Sequence, residues 1–275
     1  MLLKITMIVF AILLGVGFLI WLSLKIKPAP FSPFAAGDGS IALQPLPEGL
    51  PAPVERFYRQ VYGQEIPLIE SAVISGRAWI KPMGNIRLPA RFRFIHEAGQ
   101  NYRHEIVVTF FGFPIMQVDE TYIDGGSRLA LPFGVVENEP NINQAANLGL
   151  WAESIWLPSL FLADPRVSWQ PFDEHTAVLV VPFEEQEERF IVRFNAETGL
   201  VDLFEAMRYK EADDAVKTLW ISDAVRWGEL DGRLVLLEGG LTWYDDRLPW
   251  ANFIVEEIVY NQDVTVALRE GSGGQ

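Results

Sequence analysis

Ile5 to Leu24 is a run of 20 residues without a charged side chain, bracketed by Lys4 on one side and by Lys25 and Lys27 on the other. At about 1.5 Å rise per residue, a helix of that length spans roughly 30 Å, the hydrocarbon core of a bilayer. A cleaved signal peptide has an apolar region of only about 7–15 residues and ends at a small-x-small site. The nearest small pair here, Ala35 and Ala36, lies well past the run and has Phe34 where such a site needs a small residue. The run therefore reads as an uncleaved transmembrane anchor within residues 1–27. The α-amino group and Lys4 on one side balance Lys25 and Lys27 on the other, so positive-inside counting gives no orientation. A single N-terminal span followed by the whole soluble chain is the usual plan of an exported protein. The expected location is the cell membrane, single-pass, with the globular domain outside the cytoplasm.

Residues 28–53 hold seven of the 18 prolines, together with Gly37-Asp38-Gly39-Ser40. Proline at that density prevents a regular helix or a central strand, so the segment reads as a semi-extended stalk. No second linker or repeat interrupts the remaining chain. Residues 54–262 are expected to form one globular domain, with 263–275 as a C-terminal strand end and Gly/Ser-rich tail. Hydrophobic residues are 49% of the chain, too many for a disordered polymer and enough for a large core. The absence of cysteine excludes disulfides, thiol nucleophiles, iron–sulfur clusters and cysteine zinc sites. A net charge of −14 makes nucleic acid an unsuitable partner.

Period-two alternation dominates the domain. Ile86, Leu88, Ala90, Phe92 and Phe94 share one face, with Arg87, Arg91 and Arg93 on the other, the pattern of a half-buried strand. Tyr102, His104, Ile106, Val108 and Phe110 repeat it, as do Phe190, Val192 and Phe194. Turn residues between such runs predict about eleven or twelve strands joined by hairpins. Val54–Tyr62 and Asn141–Leu162 break the alternation and read as a short and a long helix. The long one is apolar nearly all round and belongs in the concavity of the sheet. The predicted class is α+β: a strongly curved antiparallel meander folded over one long and one short helix, preceded by a transmembrane helix. Val216–Trp227 and Phe253–Tyr260 are apolar on both faces, so something must cover the second face.

The run Leu150-Trp151-Ala152-Glu153-Ser154-Ile155-Trp156-Leu157-Pro158 with Val167-Ser168-Trp169, and the run Gln117 to Gly126, resemble the motifs of a bacterial membrane-anchored family carrying a domain of unknown function. The resemblance covers about Leu46 to Tyr260 and implies that family's fold. In architecture it is similar to the LolA/LppX lipoprotein carriers, a group that shields acyl chains between sheet and helix. Ligand shielding is thus an implication of the resemblance.

Candidate chemistry is sparse. His104-Glu105 lacks the second histidine of the HExxH spacing and sits on a strand, so His104 is expected to be a hydrogen-bonded core residue. His96 and His175 lie beside turns and are expected at the surface; three histidines so scattered suggest no metal site. No nucleophile elbow, P-loop or dinucleotide fingerprint is present. Glu153, in an apolar helix, needs a partner, and a sheet arginine is the expected one. Asp119 stands in the second motif. An aromatic pocket between Trp151 and Trp156 on the helix and Phe92, Phe94 and Trp220 on the sheet, with Glu153 and Asp119 as polar contacts, is the predicted ligand site. The sequence thus predicts a non-catalytic domain that binds an apolar ligand or envelope lipid, without catalytic residues, cofactor or metal. A cell-envelope scaffold with an unspecified protein partner and a carboxylate-dependent hydrolase are the alternatives.

Overall fold

Chain order explains the architecture. The structure, a computed structural model, describes residues 2–34, 41–82, 84, 86–132 and 134–270. Helix α1 (Leu2–Ser23) is followed by strand β1 (Leu43–Pro45), α2 (Ala52–Val61) and β2 (Glu65–Pro67). Six strands come next: β3 (Ser71–Ile80), β4 (Leu88–Glu97), β5 (Asn101–Phe110), β6 (Phe113–Ile123), β7 (Gly126–Leu131) and β8 (Gly134–Glu137). Helix α3 (Pro140–Glu153), a 3-10 turn (Ser154–Trp156) and α4 (Leu160–Ala163) separate them from β9 (Ser168–Pro171), β10 (Thr176–Phe183), β11 (Gln186–Phe194), β12 (Val201–Arg208), β13 (Thr218–Leu230), β14 (Arg233–Trp243) and β15 (Ala251–Tyr260). Helix α5 (Thr265–Glu270) comes last.

Thirteen strands form one antiparallel sheet in the order β8-β7-β6-β5-β4-β3-β15-β14-β13-β12-β11-β10-β9. Among the described residues, the only junction in this sheet between strands distant in sequence is β3 with β15, at the centre. The chain runs outward from the centre to the β8 edge, crosses through the helices to the opposite edge at β9, and returns strand by strand. Helix α3 packs against β6 and β7 near one edge and against β10 and β12 near the other. A straight helix can touch strands so far apart only if the sheet curls around it, and right-handed twist supplies that curl. The α+β curved meander is therefore as expected, with two short edge strands, β8 and β9, taking the count past the predicted eleven or twelve.

The inward faces of the strands are those the alternation selects: Ala90, Phe92 and Phe94 on β4 and Phe190, Val192 and Phe194 on β11 are all buried in one core, with Phe57 and Tyr58 of α2. Two stretches differ from expectation. The predicted Asn141–Leu162 helix stops at Glu153, because Leu157 before Pro158 is driven out of the helical region (φ −136°, ψ 55°). Pro140 occupies its first turn, where a missing N–H costs nothing. Beyond residue 262, the expected strand end is instead the helix α5; residues 271–275 and the Gly37–Ser40 part of the stalk lie outside the described residues.

The cover for the outer face comes partly from the chain itself. Val264, just before α5, and Leu268, within it, pack on Val73 and Ile95 of β3 and β4, with Phe34 beside them. Phe31 of the stalk lies 4.4 Å from the Arg91 guanidinium and 4.8 Å from that of Arg93. Arg91 donates to the carbonyls of Ala29 and Pro30, and Arg93 to that of Ser32. Arginines that look like solvent-face residues thus hold the stalk on the sheet. Val225, on β13, stays 54% exposed.

Candidate functional site

The space predicted to hold a ligand is occupied by its own walls. Trp151, Trp156, Phe92, Phe94 and Trp220 are all buried. Phe94 lies 6.1 Å from Trp156 and 5.1 Å from Phe253, in tilted and edge-on contacts. The void left beside Phe94, Glu153, Trp156 and Trp220 measures about 20 Å³, room for one water and not for a lipid. Trp156 Nε1 donates to the Leu236 carbonyl at 3.0 Å, fixing the ring against β14.

A larger concavity opens on the other side of Trp156. It measures about 390 Å³ and runs between the end of α2, the β1–β2 ribbon, the turn after α3 and the β13–β14 hairpin. Its walls are mostly apolar, with Leu43, Val61, Ile155, Trp227 and Val235 among them. Its rim carries Gln64, Glu65 and exposed Arg233, whose guanidinium lies 5.2 Å from the Tyr260 ring. The walls are tied together: Tyr260 donates to the Trp156 carbonyl (2.6 Å) and Tyr58 to the Pro158 carbonyl (2.7 Å). Burial raises the pKa of both tyrosines and holds them protonated, as donors. These two bonds hold the 3-10 turn and the residues after it, between α3 and α4, in place.

Beneath the C-terminal end of α3 lies a buried polar cluster. Strand pairing sets His96 opposite Tyr102, His104 opposite Phe94 and Glu120 opposite His104, all on the inner face. His104 Nε2 is 2.6 Å from Glu153 Oε2, and its Nδ1 is 3.5 Å from Glu120 Oε2. Tyr102 donates to Glu120 Oε1 at 2.6 Å and stacks on His104 at a centroid distance of 4.1 Å. His96 Nε2 lies 3.1 Å from the same Glu153 oxygen. One ligand-capable atom from each of His96, His104 and Glu153 falls within a 4.8 Å group. Arg208 of β12 stacks over Trp220 at 4.4 Å and completes the charge set.

Electrostatics sorts these groups. Burial disfavours charge on His104, but Glu153 and Glu120 outweigh it and push the imidazolium up to about 9. Burial likewise opposes the Glu153 carboxylate, and His104 and His96 outweigh it and bring it down to about 2. His96 goes the other way: burial dominates and lowers its pKa, so it stays neutral. Burial lowers the Arg208 pKa as well, against the pull of Glu120.

Three expectations from sequence need correction. His96 is 0% exposed, because its turn tucks under α3. Glu153 pairs with histidines, not with a sheet arginine. The histidines are not all scattered, since two of the three converge. Asp119 joins none of the other predicted site residues; it lies on the outer face of β6 and pairs with Arg103. Its neighbour Glu120, which the sequence motifs do not single out, faces inward. A signal exists all the same: matching the inward parity of His104 across a hairpin selects Glu120.

The protein-family comparison decides the relationship, matching residues 40–253 to DUF6544. The chain belongs to DUF6544, a family of unknown function. This DUF6544 chain is also similar to solved structures at low identity. One is a DUF1329 family protein from Desulfovibrio piger, 14% identical, covering 76% of this chain and 92% of that one, with a TM-score of 0.43. Another is a LolA superfamily protein from Nitrosomonas europaea, 8% identical, covering 79% of this chain and 97% of that one, with a TM-score of 0.44. No curated protein matches.

Proposed function

We propose that this chain is a non-catalytic, membrane-anchored domain that binds an apolar or amphipathic ligand, an envelope lipid, in the cleft beside Trp156. The observation that carries the reading is the 390 Å³ apolar concavity with an exposed arginine at its rim. Its volume falls in the range of about 300–1,000 Å³ typical of small-molecule sites. An acyl chain would lie on Trp227, Val235 and Ile155, and Arg233 would meet an anionic headgroup. The ligand site thus moves from the filled space between α3 and the sheet to the other face of Trp156.

The apolar helix from Lys4 to Ser23 supports the anchor, being long enough to cross a bilayer and unburied by the rest of the chain. The globular part stands outside the cytoplasm in this reading. The β5–β6 turn adds a second point of contact. Gly112 lies against Ile26, just past α1, and the adjacent Phe113 and Ile115 are 73% and 55% exposed. A bare apolar turn beside a membrane span belongs in the bilayer interface. The same exposed side chains favour the scaffold alternative, which lipid analysis separates from the carrier reading.

The experiment is organic extraction and mass spectrometry of the full chain purified in detergent, compared with a Val235→Trp variant that fills the cleft. A lipid carried at about one equivalent by the wild type and lost from the folded variant is the expected result. Identical lipid content in both would refute the cleft as the site.

A further inference from the structure

His96 and His104 come from the paired strands β4 and β5, and Glu153 comes from the end of α3, which lies over their inner face. Glu153 Oε2 is shared, 2.6 Å from His104 Nε2 and 3.1 Å from His96 Nε2. His96 poses the problem: it is fully buried, Nε2 has only the Glu153 oxygen at 3.1 Å, and among the described residues Nδ1 has no hydrogen-bond partner. A buried polar atom left so is rare and calls for a reason. Two imidazole nitrogens aimed at one carboxylate oxygen form the donor arrangement of a cation site.

We infer that His96, His104 and Glu153 bind a divalent first-row transition-metal ion. The donor set argues for the class. Two imidazoles and one carboxylate, with no thiolate, suit zinc and its neighbours, whereas magnesium and calcium prefer all-oxygen shells. Ligand bonds of about 2.0–2.2 Å in a tetrahedron separate donor atoms by about 3.4 Å. The three donors, all within 4.8 Å of one another, need only small side-chain adjustments to reach that spacing.

The surroundings are built for such a site. A metal-bound histidine commonly gives its other ring N–H to a carboxylate, which fixes the tautomer and aims the free lone pair. Glu120 stands there for His104, 3.5 Å from Nδ1, and is itself held by the Tyr102 hydroxyl at 2.6 Å. A void of about 20 Å³ next to Glu153, lined by Phe94 and Trp156, has room for one water on the carboxylate's side of the cluster. Phe94 closes over the cluster, its ring 4.1 Å from His104, keeping bulk solvent out. This inference stands apart from the lipid reading, since the cleft contributes none of the three donors.

The test uses the full chain in detergent, stripped with a chelator and titrated with Zn²⁺ alone. One equivalent is expected to bind, and X-ray absorption of the loaded wild type should show two imidazoles and one carboxylate oxygen at about 2.0–2.2 Å. His96→Gln and Glu153→Gln should each weaken binding by more than about 100-fold, and Glu120→Gln by about 10–100-fold. His175→Gln, on the half-buried third histidine, should leave it unchanged. Substitution this deep in a core can unfold the chain, so the wild-type absorption spectrum decides independently of the variants. Failure of the wild type to take up Zn²⁺ at micromolar concentration, or a bound ion without imidazole ligands, would overturn the inference.

Discussion

Asp119 and Glu120 are consecutive carboxylates on β6, yet one pairs with Arg103 on the outer face and the other with His104 and Tyr102 in the core. Period two assigns them opposite faces but does not say which face is inner; strand register against β5 says so. The same logic explains His96. Its position next to a turn suggests exposure, whereas its parity with Phe92 and Phe94 places it inside, and only the helix arriving from residues 140–153 buries it. Glu153 can be identified from sequence as a buried acid in need of a partner. Its partner His104 lies 49 positions earlier, and His96 earlier still, beyond the reach of local pattern. The metal-free cluster gives a pH signature. His104, raised from 6.5 to about 9, contributes stability that is complete below pH 6.5 and lost as pH rises through about 9. Glu153, lowered from 4.5 to about 2, contributes stability present above pH 4.5 and lost as pH falls toward 2. His96, kept neutral by burial, opposes folding as pH falls below 6.5. Melting temperature of the chelator-treated chain should therefore decline between pH 6.5 and 9, and Glu153→Gln should flatten that limb. A wild-type melting temperature that rises across the interval would contradict the assignment.

Among the elements, the strands are legible because each inward set is a clean alternation and hairpin turns separate them. The pairing of β3 with β15 is not legible: these are the first and last strands of the large sheet in the chain, and they lie side by side at its centre. That junction has a demanding geometry. Gly76 of β3 faces Val255, next to a shift in register before Glu257, and a Cβ on Gly76 would lie 2.1 Å from the Ile254 carbonyl oxygen. The bulge brings the two backbones too close for any side chain. Gly76→Ala is expected to lower stability by about 1–3 kcal/mol, as overpacking does, measured by urea unfolding. Gly149 of α3, whose added Cβ would meet only the Tyr102 hydroxyl at 3.7 Å, should accept alanine with little loss. Equal stability of Gly76→Ala and wild type would show that the central junction is looser than its geometry implies. The long helix ends earlier than its pattern for a local reason: apolar spacing continues past Glu153, but Pro158 and the residue before it cannot follow the helical path.

Across the whole molecule, the two end segments cover the outer face of the sheet over β3 to β5 and leave Val225 of β13 exposed. The stalk and α5 lie on its outer face, while α2, α3 and α4 fill its inner one. Proline content marks the stalk as irregular, but an irregular segment carries no periodic signal to reveal where it docks. Phe31 between Arg91 and Arg93 is visible only in three dimensions. The placement of the β5–β6 turn beside α1 predicts a second contact with the bilayer. Because the chain has no cysteine, Phe113→Cys can carry a single environment-sensitive dye. In vesicles its emission should lie well to the blue of the same dye at exposed Thr198→Cys. Equal spectra at both positions would remove the turn from the interface.

An apolar ligand held beside Trp156 should reveal itself by where a lipid attaches. A diazirine-bearing fatty acid would be irradiated with the full chain in detergent and the adducts mapped by peptide mass spectrometry. Adducts are expected on peptides holding Tyr62, Trp227 and Arg233 to Val235, suppressed by Val235→Trp. Adducts confined to the apolar helix from Lys4 to Ser23 would rule the cleft out as the binding site.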